Sequence, residues 1–104
     1  MGAEKDFLVV YCTASPEEAD GLARALVEEH LAACVNIASV RSCYIWEGKL
    51  SLDPEALLII KTTRSRFDAL RNRILQLHSY SLPEIVALPV AEGHQPYLDW
   101  VAEA

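Results

Sequence analysis

The amino-acid sequence predicts an α+β fold for its 104 residues, and two observations support that class. Apolar runs typical of strands alternate with amphipathic segments typical of helices, in the order strand, helix, strand, strand, helix, strand, helix. The second and third strands are separated only by a short turn that contains Gly, which predicts a hairpin. The length is that of one domain, so we predict a single domain over residues 1–104.

The first strand and the first helix are predicted from a buried-strand pattern followed by a helix N-terminal signature. Residues 7–12 are continuously apolar or aromatic, as in a strand that is buried on both faces. Ser15 and Glu18 have the spacing of a capping box, and Pro16 falls at the first helical position. An apolar stripe with i, i+3, i+4 spacing then runs to Leu31, which predicts an amphipathic helix.

A long hairpin follows. Residues 34–46 form one strand, Glu47-Gly48-Lys49 the turn, and residues 50–62 the returning strand, which we expect Asp53-Pro54 to interrupt because Pro cannot donate to a ladder. A strand of this length spans roughly 40 Å, whereas a domain of this size has a radius of gyration near 13 Å. The apolar side chains that the chain's own helices would leave uncovered are Val40, Tyr44, Ile45, Trp46, Leu50 and Leu52. We therefore expect a homo-oligomer to cover this ribbon.

The remaining elements complete the topology. Ser65 and Asp68 are predicted to cap a second helix, and residues 83–90 and 96–101 are predicted as a final strand and a short C-terminal helix. The apolar positions of the second helix are Phe67, Leu70, Ile74 and Leu77. The order βαββαβ is that of the ferredoxin-like fold. Right-handed crossovers then place the third strand between the first and the second, and the fourth on the far side of the first.

This topology brings three chemically active side chains to one edge of the sheet. Cys12 ends the first strand, His78 ends the second helix and Glu84 begins the last strand, so we expect them to be neighbours, with the hairpin turn pointing to the same end. Thiolate and imidazole are ligands that suit copper and zinc. A third ligand could come from Glu84, His94 or another subunit.

Cys12 and His78 also have purely structural interpretations. Cys12 could be a small buried apolar residue, and His78 could be a cation that interacts with the last carbonyls of its helix. Cys34 is interpreted as a packing residue and Cys43 as part of an interface.

Composition and charge exclude several classes of protein. Nine Lys and Arg against 15 Asp and Glu give a net charge of −6, which opposes binding to a nucleic-acid backbone. No run approaches the roughly 20 apolar residues of a membrane span, and residues 1–6 lack the pattern of a secretory signal. Three dispersed cysteines favour a reducing compartment, so we predict the cytoplasm. Neither a nucleic acid nor a membrane is a predicted partner.

Seven local strings, taken in order along the chain, resemble the CutA divalent-ion tolerance proteins. They are Tyr11-Cys12-Thr13, Leu31-Ala32-Ala33-Cys34-Val35-Asn36, Tyr44-Ile45-Trp46-Glu47-Gly48-Lys49, Ile60-Lys61-Thr62, His78-Ser79-Tyr80, Pro83-Glu84-Ile85 and Tyr97-Leu98-Asp99-Trp100. The resemblance implies a cytoplasmic homotrimer with a ferredoxin-like fold, similar in architecture to the PII signalling proteins. It also implies binding of copper and other divalent metals such as zinc, with a role in metal tolerance rather than catalysis.

The resemblance implies particular copper ligands as well. The Cys of the strand-1 motif is Cys12, and the second His of the family's His-His pair is His78. The first His of that pair falls on Leu77, which cannot bind a metal, and the Pro that usually follows the pair is Ser79 here. The long strand also lacks the family's Pro-Gly bend and is about one residue shorter there.

A second group of polar and aromatic residues has two interpretations. Its members are Glu47, Lys61, Tyr80, Glu84, Tyr97 and Trp100. They could line an inter-subunit cleft for an anion or a small metabolite, as in a PII-like sensor, which is the alternative function. They could instead form ion pairs and aromatic contacts that hold the oligomer together, which we favour because no Gly-rich phosphate loop is present. No spacing marks a catalytic triad either, so an enzyme is not predicted.

Overall fold

The computed structural model describes residues 6–104 and confirms the predicted α+β class and order of elements. The strands are β1 (Phe7–Ala14), β2 (Cys34–Trp46), β3 (Lys49–Thr63) and β4 (Val86–Pro89), and the helices are α1 (Pro16–Glu28), α2 (Arg64–Leu77) and α3 (Gln95–Glu103). Residues 1–5, which carry most of the segment in which no secretory signal is predicted, lie outside the described residues. Among the helices of the described range, none is long and apolar enough to cross a membrane.

The sheet has the predicted ferredoxin-like topology. Its strands lie in the order β2-β3-β1-β4, and all neighbouring strands are antiparallel. β3 pairs with β1 along the whole length of β1, from Phe7 opposite Thr63 to Ala14 opposite Ala56. β4 is shorter than predicted, because residues 83–85 approach the sheet without joining the ladder.

The main core lies between one face of the sheet and the helices α1 and α2. Alternate residues of β1 and β3 point to these helices, as period-two alternation requires. The largest fully buried side chains of this core are Val10, Cys12, Leu26, Leu58, Ile60, Leu70 and Ile74. A smaller cluster forms where Val101 of α3 packs near Phe7 and Ala33. This second cluster places α3 near the start of β1, far from Cys12.

The helices begin differently from the predicted capping boxes. Ser15 is the N-cap of α1, but its hydroxyl donates to Glu18 Oε2 at 2.8 Å and makes no side-chain cap bond to the backbone. The predicted cap of α2 by Ser65 and Asp68 is wrong, because the helix begins at Arg64 with Thr63 as its N-cap. The chain enters α2 directly from β3, so no loop remains in which Ser65 could be a cap.

The C-terminus of α1 is a Schellman motif. The helix ends at Glu28, and the N–H of His30 donates to Val27 O and that of Leu31 to Leu26 O, each at 3.0 Å. His30 takes the left-handed conformation, with φ of 61°, that this motif requires. Leu31 therefore packs on the core from outside the helix, and the prediction that the helical stripe reaches it is wrong.

The hairpin extends well beyond the rest of the sheet. Pro54 does not interrupt β3, because β1 ends opposite Ala56 and β3 has only β2 as a neighbour beyond that point. The turn consists of Glu47 and Gly48, with φ of 51° and 81°, as in a two-residue type I′ turn. Ile45 and Leu50 pair near the tip and are 72% and 73% exposed. The prediction that the chain's own helices leave this ribbon uncovered is therefore confirmed.

Candidate functional site

Three side chains predicted to be neighbours meet at Thr13, near the end of β1. The Nε2 atom of His78 donates to the carbonyl oxygen of Thr13 at 2.8 Å, and the Cys12 thiol lies 3.7 Å from the same oxygen. The Thr13 hydroxyl lies 3.5 Å from Glu84 Oε1. The predicted convergence of Cys12, His78 and Glu84 is thus confirmed, with Thr13 as the residue that connects them.

His78 uses both of its ring nitrogens within the fold. Its Nδ1 atom accepts a hydrogen bond of 3.1 Å from the backbone N–H of Tyr80, which leaves Nε2 to carry the proton that Thr13 accepts. The His78 side chain is fully buried, and its ring contacts the Tyr80 ring with centroids 4.6 Å apart. A metal-binding imidazole needs a free nitrogen lone pair, which this arrangement does not offer.

Cys12 is held as a neutral thiol. The residue has no exposed surface, and burial raises the pKa of its thiol from 9.0 to about 12, with further contributions from the carboxylates of Glu84, Glu18 and Glu55. A metal binds the thiolate, so binding at Cys12 requires removal of this proton. Burial of Cys12 is the largest cause of its raised pKa, and the three nearby carboxylates add to it.

Copper and zinc do not fit the hydrogen-bonded arrangement as it stands. Between residues 6 and 104, no three side chains of His, Cys, Asp or Glu are grouped so that they could hold a metal ion. His94, one of the predicted third ligands, is the N-cap of α3 and is not grouped with Cys12 and His78 in the described range. Glu84 is close to Thr13, so it remains the candidate third ligand within the chain.

Glu18 ties the segment after α2 to the start of α1. One carboxylate oxygen accepts from the Ser79 N–H at 3.2 Å, and the other accepts from the hydroxyls of Ser79 and Ser15 at 2.6 and 2.8 Å. Partial burial opposes ionisation, but these hydrogen bonds hold the pKa of Glu18 below its usual value. The sequence predicts a cap from Glu18, and it gives no signal that Ser79 would bind it.

A cavity of about 600 Å³ opens beside Thr13, between the hairpin and the segment that precedes β4. Its lining consists of Thr13, Ser42, Cys43, Tyr44, Trp46, Glu55, Tyr80, Ser81, Leu82 and Glu84. The Tyr80 hydroxyl donates to Glu55 Oε2 at 2.8 Å. Burial and this carboxylate raise the pKa of Tyr80. The volume is typical of sites for small molecules.

The second group predicted from the sequence is divided in the structure. Tyr80 and Glu84 line the cavity, whereas Lys61 donates to the Asn36 side chain near the other end of β3. Tyr97 and Trp100 stack on α3 with ring centroids 5.7 Å apart. These residues therefore do not form one site within a single chain.

Glu55 and Thr13 are the functional candidates that sequence reasoning missed. Glu55 is only 8% exposed, and its signal was a charged residue placed directly before the apolar run at residues 56–60. Thr13 gave no signal, because its backbone carbonyl rather than its side chain connects Cys12 and His78.

The topology and the cavity define an α+β protein of the ferredoxin-like class with an extended β2–β3 hairpin. The chain belongs to the CutA family: the family model described as CutA1 divalent ion tolerance protein matches residues 8–104. The matched residues include Cys12, His78 and all the residues that line the cavity.

Individual relatives agree with this assignment. The divalent-cation tolerance protein CutA of Thermus thermophilus is 50% identical over 97 residues, which cover 92% of this chain and 94% of the relative. The solved structure of the periplasmic divalent cation tolerance protein CutA of Archaeoglobus fulgidus has a TM-score of 0.90 and 41% identity, and covers 93% and 96% of the two chains. The PII-like protein CutA of Nostoc sp. PCC 7120, in apo form, has a TM-score of 0.88 at 36% identity, and covers 90% and 92%.

Proposed function

We propose that this protein is a cytoplasmic homotrimer that binds copper, and more weakly other divalent metals such as zinc, in the response to metal ions. The proposal includes no catalysis. Its proposed ligands are Cys12 and His78, and one observation carries it: the two side chains reach the same carbonyl oxygen, that of Thr13. Membership of a divalent ion tolerance family supports the metal class.

Metal binding at this pair would have to replace the hydrogen bonds that now hold it. The Cys12 thiol would lose its proton. His78 would bind either through Nδ1, by releasing the Tyr80 N–H, or through Nε2, by moving its proton to Nδ1 and so releasing both Thr13 and Tyr80. Copper is the strongest competitor on chemical grounds, because it stands at the top of the divalent affinity order and prefers sulfur and imidazole ligands. The affinity should rise with pH, since binding releases the thiol proton.

Calorimetry with Cu(II), Cu(I) and Zn(II) tests the ligand assignment. We expect Cys12→Ala and His78→Ala each to weaken copper binding by at least tenfold. Cys43→Ala serves as the matched control. Cys43 is exposed, and within residues 6–104 it has no hydrogen bond to the Thr13 carbonyl. Equal copper affinity in all four proteins would exclude Cys12 and His78 as ligands.

The homotrimer is proposed from apolar surface that one chain leaves uncovered. Tyr11, Val86 and Leu88 lie on the face of the sheet opposite α1 and α2, and they are 37%, 49% and 44% exposed. The uncovered hairpin adds Ile45, Leu50 and Leu52. Light scattering should report three times the chain mass of 11.5 kDa, and a monomer would contradict the proposal.

Two further predictions concern the compartment and the domain. One relative is described as periplasmic, so fractionation of the source cells is the test of the proposed cytoplasmic location. The prediction of one domain over residues 1–104 is tested by thermal unfolding, which should proceed in a single cooperative transition.

A second candidate function is a PII-like small-ligand sensor, and the cavity beside Thr13 favours it. A relative described as PII-like has the same fold. A thermal-shift screen of nucleotides and metabolites tests this function, because a ligand that binds the native state raises the unfolding temperature. If no compound of the panel raised the unfolding temperature while copper clearly did, the metal-binding function would be favoured instead.

A further inference from the structure

The pair Cys12 and His78 is closed to solvent in the described fold, which limits how a metal ion can reach it. Cys12 has no exposed surface, the His78 side chain is fully buried, and both nitrogens of its ring are hydrogen-bonded. We propose that this arrangement is a closed form, and that release of the segment 79–85, which the hydrogen bonds between Glu18 and Ser79 hold shut, admits the metal. This inference rests on the metal-binding function proposed above and adds a gate to it.

The segment 79–85 is the neighbour of His78 that can move without breaking a helix or a strand. It lies between α2 and β4 and belongs to neither. Its Tyr80 ring covers the His78 ring, with centroids 4.6 Å apart and an angle of 54° between the planes. Cys12 lies in β1, which pairs with β3 along its whole length. Movement of β1 would break a whole ladder, whereas movement of Tyr80 breaks local contacts only.

Hydrogen bonds to three other residues hold Ser79 and Tyr80 in place within the described range. The Tyr80 N–H donates to His78 Nδ1 at 3.1 Å, and its hydroxyl donates to Glu55 Oε2 at 2.8 Å. Ser79 donates to Glu18 through its N–H at 3.2 Å and through its hydroxyl at 2.6 Å. Ser79 is exposed and the Glu18 side chain is 24% exposed, so water can replace these two bonds without leaving a buried group unsatisfied. We call the two bonds between Glu18 and Ser79 the latch.

The latch lies away from the surface that the proposed homotrimer covers. Glu18 belongs to α1, which packs on the face of the sheet opposite the exposed side chains of Tyr11, Val86 and Leu88. Both of its bonds to Ser79 join atoms of one chain. Opening the latch therefore breaks no contact made by the surface that is proposed to form the interface.

The strength of the latch determines what fraction of the protein is open. Hydrogen bonds to a carboxylate stabilise a contact more than bonds between neutral groups do. If the metal binds only the open form, its apparent affinity is the intrinsic affinity reduced by the open fraction. Weakening the latch should therefore tighten copper binding, although it removes a stabilising contact from the fold.

Amide exchange in the full-length protein, in buffer with a chelator, tests the latch without copper. Ser79→Ala removes the hydroxyl bond to Glu18, so NMR should show the Tyr80 N–H exchanging at least about fivefold faster than in the wild type. Amides of β1 should keep their wild-type rates. Ser79→Thr retains a hydroxyl and should match the wild type. Glu17→Gln is the matched control for Glu18→Gln, because Glu17 is exposed and lies in the same first turn of α1.

Stopped-flow mixing with Cu(II), followed through the absorption of the copper–sulfur bond, tests the gate. In the wild type we expect the observed rate to level off as the copper concentration rises, because opening limits binding. Ser79→Ala and Glu18→Gln should raise that plateau, and should tighten copper binding, by at least about fivefold. Ser79→Thr and Glu17→Gln should behave as the wild type does.

Three results would overturn the inference. The first is a rate that rises linearly with copper and is equal in the wild type and Ser79→Ala, which would leave the ligand assignment standing. The second is Tyr80 exchange that is unchanged in Ser79→Ala, or that increases no more than exchange in β1, because the latch would then not control the segment. The third is an absence of copper binding in calorimetry, which would remove the proposed function and the gate together.

Discussion

The His78 ring links the end of α2 to the C-terminal end of β1 by donating a 2.8 Å hydrogen bond from Nε2 to the Thr13 carbonyl. Its other nitrogen accepts from the Tyr80 N–H, so the ring also positions the first residues of the segment that lines the cavity. His78 therefore connects the proposed metal-binding pair to the wall of the cavity. A change at His78 is expected to affect both.

His78→Ala is predicted to destabilise the fold even without metal. The substitution removes two hydrogen bonds, leaves two partly buried backbone groups without these partners and opens a small void, so we expect the free energy of unfolding to fall by about 2–4 kcal/mol. Urea unfolding in the presence of a chelator measures this loss. Leu77→Ala is the matched control, because Leu77 is 39% exposed and should cost about 1 kcal/mol. Equal losses in the two variants would contradict a structural role for the imidazole.

Tyr80→Phe is predicted to destabilise the protein more than Tyr44→Phe does. Each removes one hydroxyl that donates to a carboxylate, but Glu55 is buried whereas the Tyr44–Asp53 pair is exposed. We expect a loss of about 1–3 kcal/mol for Tyr80→Phe and less than about 1 kcal/mol for Tyr44→Phe. Chemical unfolding at pH 7 compares them, and a larger effect at Tyr44 would refute the importance of the buried carboxylate.

The two glycines Gly48 and Gly21 are predicted to respond to alanine in opposite directions. Gly48 has φ of 81° in the hairpin turn, so Gly48→Ala should cost about 1 kcal/mol. Gly21 lies within α1 with no atom within 4 Å of an added Cβ, so Gly21→Ala should stabilise the protein by about 0.5–1 kcal/mol. Melting temperatures of both variants measure the difference. A stabilising Gly48→Ala would mean that the turn is not of type I′.

The raised pKa of Cys12 predicts a loss of stability at alkaline pH. In the unfolded chain the thiol ionises near pH 9.0, whereas in the fold it stays neutral until about pH 12. The stabilisation from this shift is present below pH 9.0, and it is lost as the pH rises towards about 12, at roughly 1 kcal/mol per pH unit. Urea unfolding across this range should show a shallower pH dependence in Cys12→Ala than in the wild type. Cys43→Ala should follow the wild type, and identical slopes in all three proteins would contradict the shift.

Much of the fold could be predicted because its signals are local. The bounds of β2 come directly from residue alternation, and the strand order follows from the handedness of the crossovers. The errors at Pro54 and Leu31 have a different origin. Whether Pro54 interrupts a strand depends on how many neighbours that strand has, and whether Leu31 is helical depends on a left-handed His30. Neither is visible in a local pattern.

The candidate site was predictable only in part. Topology sufficed to bring Cys12, His78 and Glu84 together, because it determines which element ends meet at one edge of the sheet. It could not reveal that both nitrogens of His78 are occupied, since one partner is a backbone carbonyl and the other a backbone N–H. The environment of Glu55 was likewise invisible, because its hydrogen-bond donor Tyr80 lies 25 positions further along the chain.

The central claim, that copper binds at Cys12 and His78, is tested most directly by X-ray absorption at the copper edge of the copper-loaded protein. The proposal predicts a sulfur and an imidazole neighbour of the metal in the wild type. It also predicts that the sulfur neighbour persists in Cys34→Ala and Cys43→Ala and disappears in Cys12→Ala. A copper ion with only oxygen and nitrogen neighbours in the wild type, or a sulfur neighbour that survives Cys12→Ala, would contradict the claim.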